Sequence, residues 1–204
     1  MQAWLQLQTV LRYFSTVLKL LKKILLPLVS AFMVYKYLEL HHKLIDSAPM
    51  DLSLGESALL AFLLSAYLTG TVALIGFAYP THKLLHKGYY TVNNPDQLKQ
   101  VYKLMGVSVF RKALMIFFWG AKKNRKKYFD GTKSGIDNLI FQTKQSEFGH
   151  LIAFLLISVV SVHLLFLGYF GIVLCLSIIN VIGNFYPIIL QRHHRGRIQA
   201  IFQT

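Results

Sequence analysis

The sequence FGHLIAFLLISVVSVHLLFLGYFGIVLCLSIINVIGNFYPIIL, residues 148–190, contains no Asp, Glu, Lys or Arg. One membrane-crossing helix needs only about 20 apolar residues, so a run of this length suits two. Gly168-Tyr169-Phe170-Gly171 lies near its middle and is typical of a turn. The stretch therefore predicts a helical hairpin with crossings at about 148–167 and 171–190.

Two more apolar stretches precede this hairpin, at about 24–40 and 57–79, and the second carries no charge. Residues 3–23 alternate apolar and basic or polar side chains at helical spacing, which is typical of a helix lying in the headgroup region. We therefore expect an all-α integral membrane protein with about four transmembrane helices, plus N-terminal and loop interfacial helices. The whole chain, 1–204, would form a single membrane domain.

Composition supports a membrane protein and sets its partners. Hydrophobic residues make up 54% of the chain and charged residues 15%, where a soluble domain has about a quarter charged. The formal net charge is +14, but long uncharged runs separate the basic segments. Membrane lipids with anionic headgroups are therefore the expected partner, and we expect no nucleic acid.

Charge asymmetry predicts the orientation. Residues 81–146 contain thirteen Lys or Arg against three acidic residues, whereas 41–56 contains one basic residue against three acidic ones. With four crossings, every basic segment falls on one side, as the positive-inside rule requires. Both termini and the basic loop 81–146 would then be cytoplasmic. Within that loop, 105–119 is too short for a confident crossing and is expected to be interfacial or re-entrant.

The single cysteine, Cys175, excludes an internal disulfide and a cysteine-based zinc cluster. The N-terminal stretch lacks a short apolar core followed by a small-residue cleavage site. We therefore expect the chain to be the mature protein.

Ionisable groups at membrane depth indicate where chemistry takes place, because they are costly there. Glu147 and His150 lie three residues apart on one helix face, at the start of the third crossing. A carboxylate beside an imidazole orients it and raises its proton affinity, which suits general-base work on a hydroxyl. The pair also matches half of a Glu-x-x-His metal site, or a capping carboxylate beside a headgroup-level histidine.

On the fourth crossing, Asn180, Asn184 and Gln191 share a face at helical spacing, and three arginines follow at 192, 195 and 197. Arginine binds phosphate or carboxylate in a bidentate manner, although arginines after a last crossing also serve as anchors. By the predicted topology these groups enter the membrane on the same side as Glu147. The hairpin would thus bring the Glu–His pair next to an amide and arginine cluster.

Three motifs, in order along residues 105–200, carry a resemblance to a known family: Asp130-Gly131, Thr143-Lys144-x-x-Glu147-x-x-His150, and Asn184-x-x-Pro187-Ile188-Ile189-x-Gln191-Arg192-x-x-Arg195-x-Arg197. Together they resemble the glycosyl-4,4'-diaponeurosporenoate acyltransferase family, small bacterial membrane enzymes that complete staphyloxanthin-type carotenoids. The resemblance implies an acyltransferase of a bacterial cell membrane. It implies a fatty acyl donor, with acyl-CoA expected, and a lipid-linked acceptor hydroxyl on a glycolipid or a glycosylated terpenoid or carotenoid.

In this interpretation His150 removes the proton from the acceptor hydroxyl, and Glu147 orients the imidazole and stabilises its positive charge. The phosphates of the donor would bind to Arg192, Arg195 and Arg197. Asn184 or Gln191 would donate to the oxyanion. Asp130 would position the sugar. No cofactor and no metal are expected.

Two alternatives of other classes stay open. A metal-dependent membrane oxidoreductase would use ligands drawn from Glu147 and five histidines: His82, His86, His150, His193 and His194. A non-catalytic lipid-binding protein would need no Glu–His pair.

Overall fold

A computed structural model of the chain describes residues 2–47, 52–117 and 132–202. Within these ranges the chain forms helices and no strands, which confirms the all-α class. The helices are α1 (Gln2–Asp46), α2 (Leu54–Ala78), two 3₁₀ helices (Thr81–Leu84 and Lys87–Tyr90), α3 (Pro95–Leu104), α4 (Val107–Phe117), α5 (Lys133–Phe166), α6 (Phe170–Asn180), a π-helical segment (Val181–Phe185) and α7 (Tyr186–Phe202). Asp130 and the basic cluster at 122–127 lie outside the described residues.

Three helical segments are long and apolar enough to cross a membrane: Leu54–Ala78, Gly135–Phe166 and Phe170–Ala200. They include the last three of the predicted crossings, so the chain is a membrane protein. The first predicted crossing, 24–40, lies inside α1 and is not among them. A total of four crossings therefore stays a prediction.

The second half of α1 runs antiparallel to α2 along the whole length of that helix. At one end the Tyr79 hydroxyl donates to the Lys23 carbonyl over 3.1 Å. In the middle the Ser30 hydroxyl donates to the Thr71 carbonyl over 3.2 Å. At the other end Leu44 is buried in the core that α2 shares with α5 and α6. This half of α1 thus lies at the same depth as α2, which supports the predicted crossing at 24–40.

Sequence reasoning divided the N-terminal region into an interfacial helix, 3–23, and a separate crossing, 24–40. The structure instead has one continuous helix of 45 residues, with Pro27 inside it rather than in a first turn. Continuity has a physical reason, because a break in apolar surroundings would leave backbone N–H and C=O groups without partners.

Local sequence explains where α2 begins and where it ends. Ser53 and Glu56 form a capping box, since the Ser53 hydroxyl accepts from the Glu56 N–H and the Glu56 carboxylate accepts from the Ser53 N–H. At the other end Tyr79 is extended, as a residue before proline prefers, and Pro80 begins the connection that follows.

The predicted hairpin is present, formed by α5 and α6 with a turn at Gly168. Gly168 has φ +86°, a conformation that residues with a side chain rarely adopt. The next residue, Tyr169, fastens the turn to α1 by donating its hydroxyl to the Leu44 carbonyl over 2.8 Å. Helix α5 begins at Lys133, well before the predicted boundary at 148, because the Thr132 side chain caps it there. The apolar run marks where the helix can cross a membrane and not where the helix begins.

A second cluster of buried side chains packs α3 and α4 against α7. It contains Tyr102, Val107, Ile189 and Leu190. Helix α4 falls within 105–119, the stretch predicted to be interfacial or re-entrant. It packs as a short helix against α7. This end of the molecule also contains the candidate site.

We predict that Leu54 and Lys87 lie on opposite sides of the membrane, because α2 separates them and both are exposed. In a Cys175→Ser background, a cysteine at Lys87 should resist an impermeant thiol reagent in intact cells. A cysteine at Leu54 is the matched control and should react. Labelling at position 87 before lysis would contradict the cytoplasmic placement of the basic loop.

Candidate functional site

One glutamine joins the end of α2 and the following connection to α5. The Gln145 amide nitrogen, with two hydrogens to donate, lies within hydrogen-bond distance of three acceptors: the Gly76 and Tyr79 carbonyls at 2.8 and 3.1 Å and the Thr81 hydroxyl at 2.8 Å. Its oxygen lies 2.7 Å from Nδ1 of His82. A Cβ on Gly76 would come within 3.0 Å of the Gln145 amide nitrogen, so the glycine permits this approach. The segment that carries Tyr89 is thereby fixed against α5.

The charged centre of the site is formed by Glu147 on α5 and two arginines on α7. Glu147 is fully buried and accepts hydrogen bonds from two arginines of α7. Arg192 donates its Nε to Oε1 over 2.7 Å, and Arg195 donates its Nη2 to Oε2. Arg195 is itself only 2% exposed. A buried carboxylate is tolerated when each oxygen is paired in this way, and the three groups together carry one net positive charge.

The 3₁₀ turn before α3 completes this cluster. Arg192 donates to the Tyr89 carbonyl over 3.3 Å, and Arg195 to the Tyr90 carbonyl over 3.1 Å. Each guanidinium also lies over the ring of the same tyrosine, at 4.5 and 5.3 Å from the ring centre. Burial and the Glu147 charge raise the pKa of Tyr90 to about 12 and also raise the pKa of Tyr89. Both tyrosines therefore remain neutral phenols, and Glu147 is the carboxylate that balances the two arginines.

His150 lies one turn further along α5 and pairs with an amide. Its Nδ1 is 3.1 Å from Oδ1 of Asn184. Asn184 in turn donates its Nδ2 to Oδ1 of Asn180 over 3.0 Å, and Asn180 donates to the Phe154 carbonyl over 3.0 Å. Since a backbone carbonyl can only accept, it fixes the orientation of both amides in turn. Oδ1 of Asn184 then faces His150, and the backbone of Gly183 also hydrogen-bonds to the imidazole. With the amides oriented in this way, the hydrogen is assigned to Nδ1, which leaves the lone pair on Nε2.

The structure corrects the predicted pairing of Glu147 with His150. The two residues do enter the site from one face of α5, but the carboxylate binds the arginines and the imidazole binds Asn184. The reason lies on the facing helix, where two guanidiniums stand opposite position 147 and an amide opposite position 150. A buried carboxylate is stabilised far more by two cations than by a neutral ring.

The π-helical segment corrects a second prediction, that Asn184 and Gln191 continue one face. A π segment accommodates one extra residue in the helix and rotates everything after it. The face that contains Asn184 therefore continues to Arg192 and Arg195, which bond to Glu147. Gln191 is half-buried beside them, and its side-chain amide makes no hydrogen bond with the described residues. Its amide is available to a ligand.

The predicted arginines separate into two groups. Arg192 and Arg195 are committed to Glu147 and to backbone carbonyls, although Nη1 of Arg195 is buried without a hydrogen-bond partner in the described ranges. Arg197 is exposed on another side of α7, where its charge acts on His193 and His194. The site therefore unites Glu147 with Arg192 and Arg195, and His150 with Asn184, but leaves Arg197 apart.

Three residues of the site were missed from the sequence: Tyr89, Tyr90 and Gln145. The two tyrosines act partly through backbone carbonyls, which no residue pattern reveals. Gln145 had a weak signal, since it is a polar residue two positions before Glu147 on a helix that enters the membrane.

The histidines named for a metal site are used elsewhere. His82 binds Gln145, His86 accepts from the Gly88 N–H over 3.1 Å, and His193 stacks on Tyr102. Among the described residues no three His, Cys, Asp or Glu side chains are grouped so that they could hold a metal ion. The ligands of the oxidoreductase alternative are thus not gathered in one place.

Comparison with known proteins identifies a family. A family model described as glycosyl-4,4'-diaponeurosporenoate acyltransferase matches residues 86–204, more than half of the chain. Neither a curated protein nor a solved structure matches. The match begins just before Tyr89 and Tyr90, so it covers both tyrosines as well as the residues of α5 and α7 that meet them.

We predict that Glu147→Gln lowers the free energy of unfolding by about 3–5 kcal/mol, because it leaves two buried guanidiniums without their counter-charge. Thermal unfolding of the purified protein in detergent measures this. Asp96→Asn removes an exposed carboxylate and is the matched control, expected to change stability by less than about 0.5 kcal/mol. Equal stability of the two variants would show that the charged cluster contributes nothing to folding.

Proposed function

Because the chain belongs to the glycosyl-4,4'-diaponeurosporenoate acyltransferase family, we propose that it moves a fatty acyl group from an activated donor, expected to be acyl-CoA, to a sugar hydroxyl of a lipid-linked acceptor. The chain is an acyltransferase of carotenoid biosynthesis, so a glycosylated carotenoid or related terpenoid is the proposed acceptor. The family is bacterial, and the proposed location is the cell membrane with the site on its cytoplasmic side.

The observation that carries the proposed mechanism is the chain of amides behind His150. It presents an imidazole with the hydrogen on Nδ1 and a lone pair on Nε2, held in one orientation. An imidazole in this state is suited to accept a proton at neutral pH. Asn184 thus orients the His150 ring, a role that the sequence interpretation assigned to Glu147, but as a neutral amide it does not supply the negative charge of a carboxylate.

In the proposed reaction, Nε2 of His150 takes the proton of the acceptor hydroxyl as that oxygen attacks the acyl carbonyl carbon. A C–O bond forms and the carbonyl oxygen becomes an oxyanion. The C–S bond of the thioester then breaks, and the imidazolium returns its proton to the leaving thiolate. No covalent acyl-enzyme is required.

The oxyanion needs fixed donors, which are worth several kcal/mol when they are held in place beforehand. Gln191 has an unused amide, and Arg192 has a side chain that is one third exposed. Glu147 holds Arg192 from the buried side, so the positive charge is in place before substrate binds. We therefore assign Glu147 and Arg195 to positioning, and Gln191 and Arg192 to contact with the reacting carbonyl.

The apolar chains of both substrates, the acyl chain of the donor and the terpenoid chain of the acceptor, would lie against the outer surface of the hairpin. Large apolar side chains are exposed there, among them Val159, Phe166 and Ile182. Exposed apolar surface of this kind is suited to contact with lipid. A reaction between two lipid-like molecules at the membrane boundary fits this surface.

We predict that His150→Ala lowers the rate of acyl transfer by about 10²–10⁴, the usual contribution of a positioned base. Purified protein would be assayed in lipid nanodiscs with palmitoyl-CoA and a glycosylated carotenoid acid. His163→Ala, a histidine on the same helix at its other end, is the control and should leave the rate unchanged. A His150→Ala protein that folds and retains full activity would exclude His150 as the base.

Asn184→Leu separates the role of the amide from that of the ring. Without Oδ1 the imidazole loses its fixed tautomer, so we expect a lower kcat with little change in KM for the donor. The same assay measures both constants. A change confined to KM would place Asn184 in substrate binding instead.

A further inference from the structure

An open cavity of about 520 Å³ lies beside α4, and α7 contributes His194 to its lining. The described residues that line it are Arg111, Lys112, Met115, Ile116 and His194. Its volume lies within the range of small-molecule sites, about 300–1,000 Å³. None of these five residues has a role in the reaction proposed above.

The charge around this cavity is positive and unbalanced. Arg111, Lys112 and Arg197 have no carboxylate partner within the described part of the chain, in contrast to the arginines that Glu147 holds. Both Arg111 and Arg197 act electrostatically on His194. Several cations gathered without an acidic group form a ready site for an anion.

The same cavity has an apolar side. Ile116 is 75% exposed and Met115 is 38% exposed, and both come from the last turn of α4. The opposite face of that helix packs on α7 through Val107 and Phe110. A helix with cations and exposed apolar side chains on its free side is typical of the membrane interface. The cavity thus presents cationic and apolar groups side by side.

We propose that this cavity binds the phosphate-bearing head of an acyl amphiphile, with Arg111 and Lys112 on the phosphate and Met115 and Ile116 on the adjacent apolar part. This rests on the proposed function, since a phosphorylated acyl donor has this chemistry. An anionic phospholipid shares it. The donor phosphates would then lie here and not on Arg192 and Arg195, because those two arginines are paired with Glu147 and with backbone carbonyls.

The spacing along α7 suits such a donor. His194 comes ten residues after Asn184, which is about 15 Å along the axis at 1.5 Å per residue. A phosphate at the level of His194 and a carbonyl at His150 would therefore be joined by an extended, flexible arm. Acyl-CoA has an arm of this kind between its phosphates and its thioester.

The test compares an Arg111→Gln/Lys112→Gln double variant with a Lys83→Gln/Lys87→Gln double variant, which removes the same charge from exposed lysines outside the cavity. The first arm measures binding of palmitoyl-CoA to the full chain in phosphatidylcholine nanodiscs. We expect the cavity variant to bind about tenfold more weakly or worse, because charge-assisted hydrogen bonds to phosphate are lost. The control should change less than about twofold.

A second arm measures binding of phosphatidylglycerol vesicles and separates the two sources of phosphate. Weaker palmitoyl-CoA binding together with a raised KM for the donor identifies the donor as the occupant. Weaker vesicle binding with unchanged palmitoyl-CoA binding identifies a phospholipid headgroup. If neither ligand distinguishes the cavity variant from its control, the cavity proposal is wrong.

Two further variants keep the outcomes separate. Ile116→Asp places a negative charge at the cavity on an exposed position, so it should weaken phosphate binding without unfolding the protein. His150→Ala should bind palmitoyl-CoA as the unchanged protein does while losing turnover. Absence of any acyl transfer with intact cavity-dependent binding would contradict the proposed function alone. Full transfer with cavity-independent binding would contradict the cavity alone.

Discussion

A single buried carboxylate holds the site together. Glu147 on α5 has no exposed surface and accepts from Arg192 and Arg195 on α7, which also bind the carbonyls of Tyr89 and Tyr90. Removing charges from water is costly, and only close pairing with saturated hydrogen bonds offsets that cost. The cluster thereby fixes how α5, α7 and the 3₁₀ helix at Lys87–Tyr90 pack together. This packing in turn sets the positions of His150 on α5 and Gln191 on α7.

The arrangement divides three tasks among neighbouring groups. Glu147 and its arginines organise the helices and supply one net positive charge. In the proposed reaction His150, oriented by Asn184, is the group that transfers the proton. The separate cations at Arg111 and Lys112 are unbalanced and suit the phosphate of a bound amphiphile.

Much of the fold was predictable because apolar length is a strong signal. The uncharged run at 148–190 predicted the hairpin and its turn at Gly168, and both are present. The residues at which helices begin and end were harder to predict, because α1 continues through Pro27 and α5 begins among polar residues at Lys133. Apolar composition indicates which residues tolerate lipid and gives little information about where a helix ends.

Only some of the residues that meet at the candidate site were named from the sequence, and their pairing was not predicted. Helical spacing places Glu147 and His150 on one face, yet only the facing helix decides what each residue meets. A π segment at 181–185 rotates that helix, and no residue pattern announced it. The tyrosine carbonyls are equally invisible in a sequence.

The most direct test of the central claim is a double-mutant cycle between Glu147 and Arg195, measured as free energy of unfolding in detergent. The variants are Glu147→Gln, Arg195→Met and the two combined. If Glu147 exists to balance the buried arginines, the combined variant should be less destabilised than the sum of the single variants, with a coupling of about 1–3 kcal/mol. Additive effects would mean that the two groups are not coupled, and the ion cluster would then not organise the site.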